Sequence, residues 1–222
     1  MTPTLTHVNT WIFDLDNTLY PPESELEGEV YNRMVCYTAA RFSLSIADAK
    51  DMVTQHHIKH GATVIGLYED HGVEPQHFLE SSYWDVPLEK INAWRDSPEL
   101  AKVRTLLAAL PGRKLIFTNG TRYHAERILR YLDLRHLFDD IIDIADGDYR
   151  PKPQMPMYTS LMRRYGVNPR TSVFVEDSSK NLAPAKQLGM CTVLVNRPDE
   201  APAPYVDMTA PTLVDWLSGI AH

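Results

Sequence analysis

Four short polar clusters hold the residues of this chain best suited to chemistry: Asp14-Leu15-Asp16-Asn17-Thr18, Thr118-Asn119-Gly120, Arg150-Pro151-Lys152-Pro153 and Glu176-Asp177-Ser178. Together they offer the carboxylates of Asp14, Asp16, Glu176 and Asp177, the Lys152 ammonium and the Thr118 hydroxyl. Four carboxylates in one place cannot all stay ionised without strongly perturbed pKa values unless a cation offsets them. A divalent metal is therefore implied if the clusters meet. The ligands on offer are hard oxygens with no Cys or His among them, a set that favours Mg²⁺ over zinc and lets substrate phosphate share the ion. Lys152 adds a second positive charge for a phosphoryl group. Singly, each cluster reads as turn chemistry or a helix cap; their joint occurrence argues for a site.

The elements around the clusters predict how they could meet. Trp11-Ile12-Phe13, followed by Leu15, is a short apolar run of the kind that forms a buried parallel strand, and it stops at the first cluster. Further strands are expected at Lys114 to Phe117, Ile141 to Ile144, Ser172 to Val175 and Thr192 to Val195. Helices are expected at about Tyr123 to Tyr131, Met155 to Tyr165, Leu182 to Leu188 and Thr212 to Leu217, the last ended by Gly219. Such alternation predicts an α/β fold, a Rossmann-like parallel sheet covered by helices on both faces. Three clusters directly follow strands and Lys152 lies a few residues beyond its own, so all four would converge on the carboxyl-end rim of the sheet.

From Glu23 to about Pro98 the spacing turns helical, through Val30, Met34, Tyr37, Ile46, Met52 and Val53. The expected organisation is an α/β unit of residues 1–20 and 97–222, with a helical unit of residues 21–96 inserted after the first strand. Pro21-Pro22 marks one junction, and Ser97-Pro98-Glu99 marks the other, Ser97 capping the helix that Pro98 begins. Arg197 to Pro204 reads as a surface loop.

Composition bounds the function. A chain of 222 residues, 44% of them hydrophobic, can bury a full core, and a formal charge of −7 argues against a nucleic acid polymer as partner. Cys36 and Cys191 each sit in an apolar stretch and read as reduced core residues. Met1 to Thr10 lacks the pattern of a signal peptide, and no uncharged apolar run is long enough for a bilayer. A cytoplasmic protein without membrane attachment is expected, as a monomer or a homodimer.

The run Asp14-Leu15-Asp16-Asn17-Thr18-Leu19 resembles the first motif of the haloacid dehalogenase superfamily, and the three later clusters match its remaining motifs in order. The resemblance implies a phosphatase in which Asp14 attacks phosphorus to form an aspartyl-phosphate and Asp16 serves as acid and then base. It further implies that Thr118, Asn119 and the amides after Thr118 hold phosphate oxygens, with Lys152 offsetting charge. Asp177, Asp14, the Asp16 carbonyl and Glu176 would surround Mg²⁺. Many relatives have an acid where Asn181 stands, which leaves Asn181 a supporting place behind the ligands. The helical insertion resembles this superfamily's small mobile cap.

Leu19-Tyr20-Pro21 and Gly61-Ala62-Thr63-Val64-Ile65-Gly66-Leu67 resemble the branch containing pyrimidine 5'-nucleotidases. The implied substrate is a small phosphorylated metabolite, foremost a nucleoside monophosphate such as UMP or CMP, with pyridoxal phosphate and sugar phosphates as alternatives. Lys59, His60 and Thr63 are the candidate specificity residues. His56 and His60 have the spacing of a zinc-binding helix, but His57 replaces the glutamate that motif requires, so a polar helix face is the better reading. Tyr68, Tyr83 and Trp84 could stack on a ring or simply fill a core. Three rival functions remain: a dehalogenase, against which Asp16 argues, a phosphomutase, and a binding protein that kept the fold without the chemistry.

Overall fold

Successive residues of a strand face opposite sides of its sheet, and this period of two sorts the core of the protein. The computed structural model describes residues 5–220. Its strands are β1 (Thr10–Phe13), β2 (Arg113–Phe117), β3 (Asp140–Ile142), β4 (Ser172–Glu176), β5 (Cys191–Val195) and β6 (Met208–Ala210). All neighbours pair in parallel, in the order β3-β2-β1-β4-β5-β6. Trp11, Phe13, Ile116, Val173 and Val175 face one layer, while Ile12, Leu115, Phe117 and Phe174 face the other.

The first layer is built by α6 (Pro98–Ala109), α7 (Arg122–Tyr131) and α10 (Leu213–Ile220), which bring Leu100, Val103, Ile128 and Trp216 to the sheet. The second is built by α8 (Met155–Arg163) and α9 (Ser179–Leu188), through Met157, Tyr158, Leu161 and Leu182. The α/β fold with a parallel sheet covered on both faces is thus as expected. Ser97 Oγ accepts a hydrogen bond from the Leu100 amide at 3.1 Å, the cap foreseen for α6, and Pro98 occupies its first turn.

Between β1 and α6 the chain forms α1 (Leu26–Phe42), α2 (Ile46–His60), α3 (Thr63–His71) and α4 (Pro75–Tyr83), followed by the single turn α5 (Asn92–Arg95). Val35, Ala39, Ala49 and Val53 join α1 to α2, and Val64, Leu67, Phe78 and Leu79 join α3 to α4 and to Ile144 of the sheet unit. Gly66 of α3 lies directly against His56 of α2. A Cβ on it would fall 2.4 Å from His56 Cδ2.

Several local expectations are corrected. Cys36 is exposed because the buried positions of α1 are its neighbours Val35, Thr38 and Ala39, and Cys191 is only half-buried at the start of β5. Gly219 lies inside α10 and does not end it. The edge strand β6 carries no apolar run that would announce it, since its residues are partly exposed. Among the described residues, no helix is long and apolar enough to cross a membrane.

Candidate active site

The strand order reverses at β1, whose two neighbours continue in opposite directions, and ligands of open α/β sheets bind in the crevice beyond such a switch. Asp14 leaves the end of β1, with its amide donating to the Val175 carbonyl at 2.9 Å, and Glu176 ends the adjacent β4. Thr118 follows β2, with its amide donating to the Ile142 carbonyl at 3.0 Å. The four clusters therefore do meet at one rim. They line a cleft of about 610 Å³ whose far wall comes from α1 to α4.

Lys152 stands at the centre, 3% exposed. Its Nζ donates to Asp14 Oδ1 at 2.7 Å, to Glu176 Oε2 at 2.8 Å and to the Phe117 carbonyl at 2.7 Å. Burial opposes the lysine charge, but its two carboxylate partners outweigh that cost and raise its pKa. Asn119 sets the lysine's main chain, its Oδ1 accepting from the Lys152 amide at 2.7 Å and its Nδ2 donating to the Lys152 carbonyl at 3.1 Å. The Asn119 side chain, expected at the phosphate, is thus engaged in holding Lys152.

Burial pushes the carboxyls of Asp14, Glu176 and Asp177 upward, and their mutual repulsion adds to it. Asp177 reaches about 6 although Arg197 opposes the shift, Arg197 Nη2 donating to Asp177 Oδ2 at 2.7 Å. Each of the three acids brings an oxygen within 4.8 Å of the others. That crowding, on hard oxygens alone, is what a divalent cation relieves. Asn181 Oδ1 also lines the cleft, buried and with no partner among the described residues, which adds an uncommitted oxygen to the set. Glu176 stands differently, since both its oxygens are engaged, Oε2 by Lys152 and Oε1 by the Ser178 amide at 3.1 Å.

Asp16 behaves in the opposite way. Burial works against its charge, yet His124 and Tyr20 outweigh burial and hold its pKa below the usual value. Tyr20 Oη donates to Asp16 Oδ1 at 2.5 Å, and His124 Nε2 lies 3.2 Å from the same oxygen. Thr118 Oγ1 accepts from the Gly120 amide at 2.9 Å and reaches Asp16 Oδ2 only at 3.4 Å. The Gly120 amide is therefore committed to Thr118 Oγ1.

The helical wall departs from expectation. Lys59 Nζ pairs with Asp70 at 2.8 Å, and His60 pairs with Asp70 at 2.9 Å and Glu69 at 3.2 Å. Both side chains thus bind α2 to α3, because acids one helix away attract them more closely than the open cleft does, and neither lines it. Thr63 does line the cleft, with its hydroxyl committed to the Val53 carbonyl at 3.1 Å. The wall instead presents His57, Tyr31 and Tyr83 among Val64, Phe78 and Leu79. Tyr68 and Trp84 are exposed elsewhere.

Sequence reasoning gave no site role to His124, Tyr20 or Arg197, and weighed His57 only within a metal-spacing motif. His124 sits in the first turn of the helix after the Thr118 cluster, Tyr20 four residues beyond Asp16, and Arg197 just past β5. These three are polar side chains close to a strand's carboxyl end, which was the one available signal, whereas His57 lies in α2 and had no such signal.

Comparison with known proteins agrees with this geometry. Residues 8–189 match the model of a hydrolase family described as haloacid dehalogenase-like hydrolase. Phosphate metabolism protein 8 of Saccharomyces cerevisiae is 22% identical over 201 residues, covering 83% of this chain, which spans only 60% of that protein's length. Glyceraldehyde 3-phosphate phosphatase of Methanocaldococcus jannaschii is 26% identical over 195 residues, covering 83% of each. The crystal structure of a HAD phosphatase from Thermococcus onnurineus superposes with a TM-score of 0.62 at 20% identity, over 96% of this chain and 98% of that one. With the family match running from before β1 to the end of α9 and a sheet of the same kind beneath it, the chain belongs to the haloacid dehalogenase-like hydrolases.

Proposed function

We propose that the protein is a Mg²⁺-dependent phosphomonoesterase that works through an aspartyl-phosphate on Asp14. The observation that carries this reading is Lys152, which binds Asp14 and Glu176 beside Asp177 and so concentrates a nucleophilic carboxylate, a fixed cation and metal-binding oxygens at one rim. Asp14 Oδ1 is held by Lys152 and Oδ2 by the Thr18 hydroxyl at 3.1 Å, which aligns the carboxylate for in-line attack. Asp16, two residues on, is held ionised in the free protein by His124 and Tyr20; it would take a proton when substrate phosphate adds negative charge beside it, give it to the departing ester oxygen and later take one from water. Lys152 and Thr118 offset the charge that develops on the phosphoryl oxygens. Asp14, Asp177 and the Asp16 carbonyl would hold Mg²⁺, supported by Asn181, and the bound ion supplies compensation for the clustered acids.

Residues 21–96 serve in this reading as a cap over the unit formed by residues 1–20 and 97–222, excluding water during the reaction. The substrate proposed is a nucleoside monophosphate, foremost UMP or CMP. A cleft of about 610 Å³ lies in the range of small-molecule sites, and its Phe78, Leu79 and Tyr83 suit an apolar ring better than a short polar chain. Phosphate release from UMP, CMP, AMP, pyridoxal phosphate and glyceraldehyde 3-phosphate, each with Mg²⁺ and with chelator, tests the reading. Mg²⁺-dependent preference for UMP and CMP supports it. Preference for the triose phosphate would overturn the substrate, and no release from any ester would overturn the chemistry.

A further inference from the structure

Asp16 is the carboxylate whose proton the proposed reaction moves, and its two oxygens are treated unequally. Oδ1 receives Tyr20 Oη at 2.5 Å and faces His124 Nε2 at 3.2 Å, whereas among the described residues Oδ2 meets only the Thr118 hydroxyl, at 3.4 Å. Tyr20 and His124 are both completely buried. The His124 ring nitrogen opposite Asp16, Nδ1, is buried with no hydrogen-bond partner among the described residues. An imidazole with one nitrogen left unpaired is a poor structural filler, since an apolar ring would fill the space without that cost. Among the described residues, the ring's one polar contact is with Asp16.

The ring is also locked in place. The Thr121 hydroxyl accepts from the His124 amide at 3.3 Å at the start of α7, and Tyr83 of α4 packs on the imidazole with centroids 4.9 Å apart. Trp84, the residue after Tyr83, stacks on Tyr123, the residue before His124, with centroids 5.0 Å apart and planes 6° from parallel. Two adjacent ring pairs thus fix the end of α4 against α7.

We infer that Tyr20 and His124 are positioning residues for Asp16, together saturating Oδ1 so that Oδ2 carries the transferable proton. This rests on the phosphomonoesterase reading above. In the first step an Asp14 oxygen forms its bond to phosphorus as the ester P–O bond breaks. The electron pair of that bond stays on the leaving oxygen, which takes the proton from Asp16 Oδ2. Two hydrogen-bonding partners on Oδ1 fix the carboxyl plane and leave Oδ2, with the weaker contact, as the oxygen free to pass the proton on.

An acid matters most when the leaving group is a poor one. The test compares p-nitrophenyl phosphate, which departs as a stabilised phenolate, with p-nitrobenzyl phosphate, which departs as an alkoxide and differs by one methylene. The quantity read is the ratio of their kcat/KM values, with Mg²⁺, in the wild-type protein and in Tyr20→Phe, His124→Leu and His124→Gln. A shared loss of folded enzyme cancels in that ratio. Tyr20→Phe and His124→Leu are expected to depress the benzyl ester about tenfold more than the phenyl ester, a part of what general acid catalysis contributes. His124→Gln, which keeps an N–H donor, is expected to restore most of the ratio. An unchanged ratio in both Tyr20→Phe and His124→Leu, with the wild type active, would overturn the positioning role alone. A wild-type protein that releases phosphate from neither ester would overturn the phosphomonoesterase reading and this role with it.

Discussion

Lys152 Nζ and Asp14 Oδ1 meet at 2.7 Å across 138 residues of chain, with both side chains buried. Lys152 is also the partner of Glu176, so removing the lysine leaves two buried carboxylates uncompensated. Lys152→Met is expected to lower stability by about 3–5 kcal/mol, the usual consequence of breaking a buried ion pair on one side. Urea unfolding with chelator present measures it. Adding Glu176→Gln should recover part of the loss, and a double variant no more stable than Lys152→Met would contradict the account.

Asp14→Asn tests the nucleophile. The amide keeps the shape and removes the attacking charge, so turnover should fall on the order of 10⁴-fold or more while the folded structure persists. Phosphate release and a thermal melt on the same preparation separate these effects. Near-normal turnover would refute covalent catalysis by Asp14.

The acid cluster predicts an unusual pH dependence for the metal-free protein. A carboxyl with a raised folded-state pKa binds more protons folded than unfolded, so stability falls as pH rises through the interval between the two values. For Asp177 the interval runs from 3.8 to about 6, and burial moves Asp14 and Glu176 the same way. Asp207, whose burial is outweighed by its bond to Lys186, is held low and stabilises as pH rises, but over a lower range. With chelator, Tm should therefore decline as pH rises from 3.8 to about 6, and Mg²⁺ should raise Tm most at the upper end of that range. A flat profile unaffected by Mg²⁺ would count against a metal-binding acid cluster.

His57 and His60 separate the cleft wall from the α2–α3 contact. Because His57 lines the cleft and His60 is paired with Asp70 and Glu69 outside it, His57→Ala should raise KM about tenfold, the worth of one hydrogen bond, whereas His60→Ala should leave KM nearly unchanged. Steady-state kinetics on the best nucleotide decides the matter, and the reverse pattern would return specificity to His60.

Gly66→Ala addresses the packing of the same helices. Its new methyl group would lie 2.4 Å from His56 Cδ2 and 2.6 Å from His56 Cβ, so either α3 or the His56 side chain must move. A loss of about 1–3 kcal/mol is expected from such overpacking, read by urea unfolding. His56→Ala in the same chain should relieve it.

The sequence by itself determined the alternation of strands and helices and the meeting of Asp14, Thr118, Lys152 and Glu176 at one rim. Those features follow from local rules: apolar runs of strand length, a helix between each pair, and parallel strands whose carboxyl ends must share an edge. Tertiary structure alone decided which polar groups bind one another. Asn119 was legible as a site residue, but its commitment to the Lys152 main chain depends on where two loops come together. Lys59 and His60 could face a substrate on helical spacing, and only the packing of α2 beside Asp70 and Glu69 turns them away. The His124 contact with Asp16 spans 108 residues and depends on the rotation of α7 about its axis. Hydrogen bonds are short and directional, so a small rotation of a helix about its axis makes or breaks them, while its broad apolar stripe, which sets the fold, tolerates it.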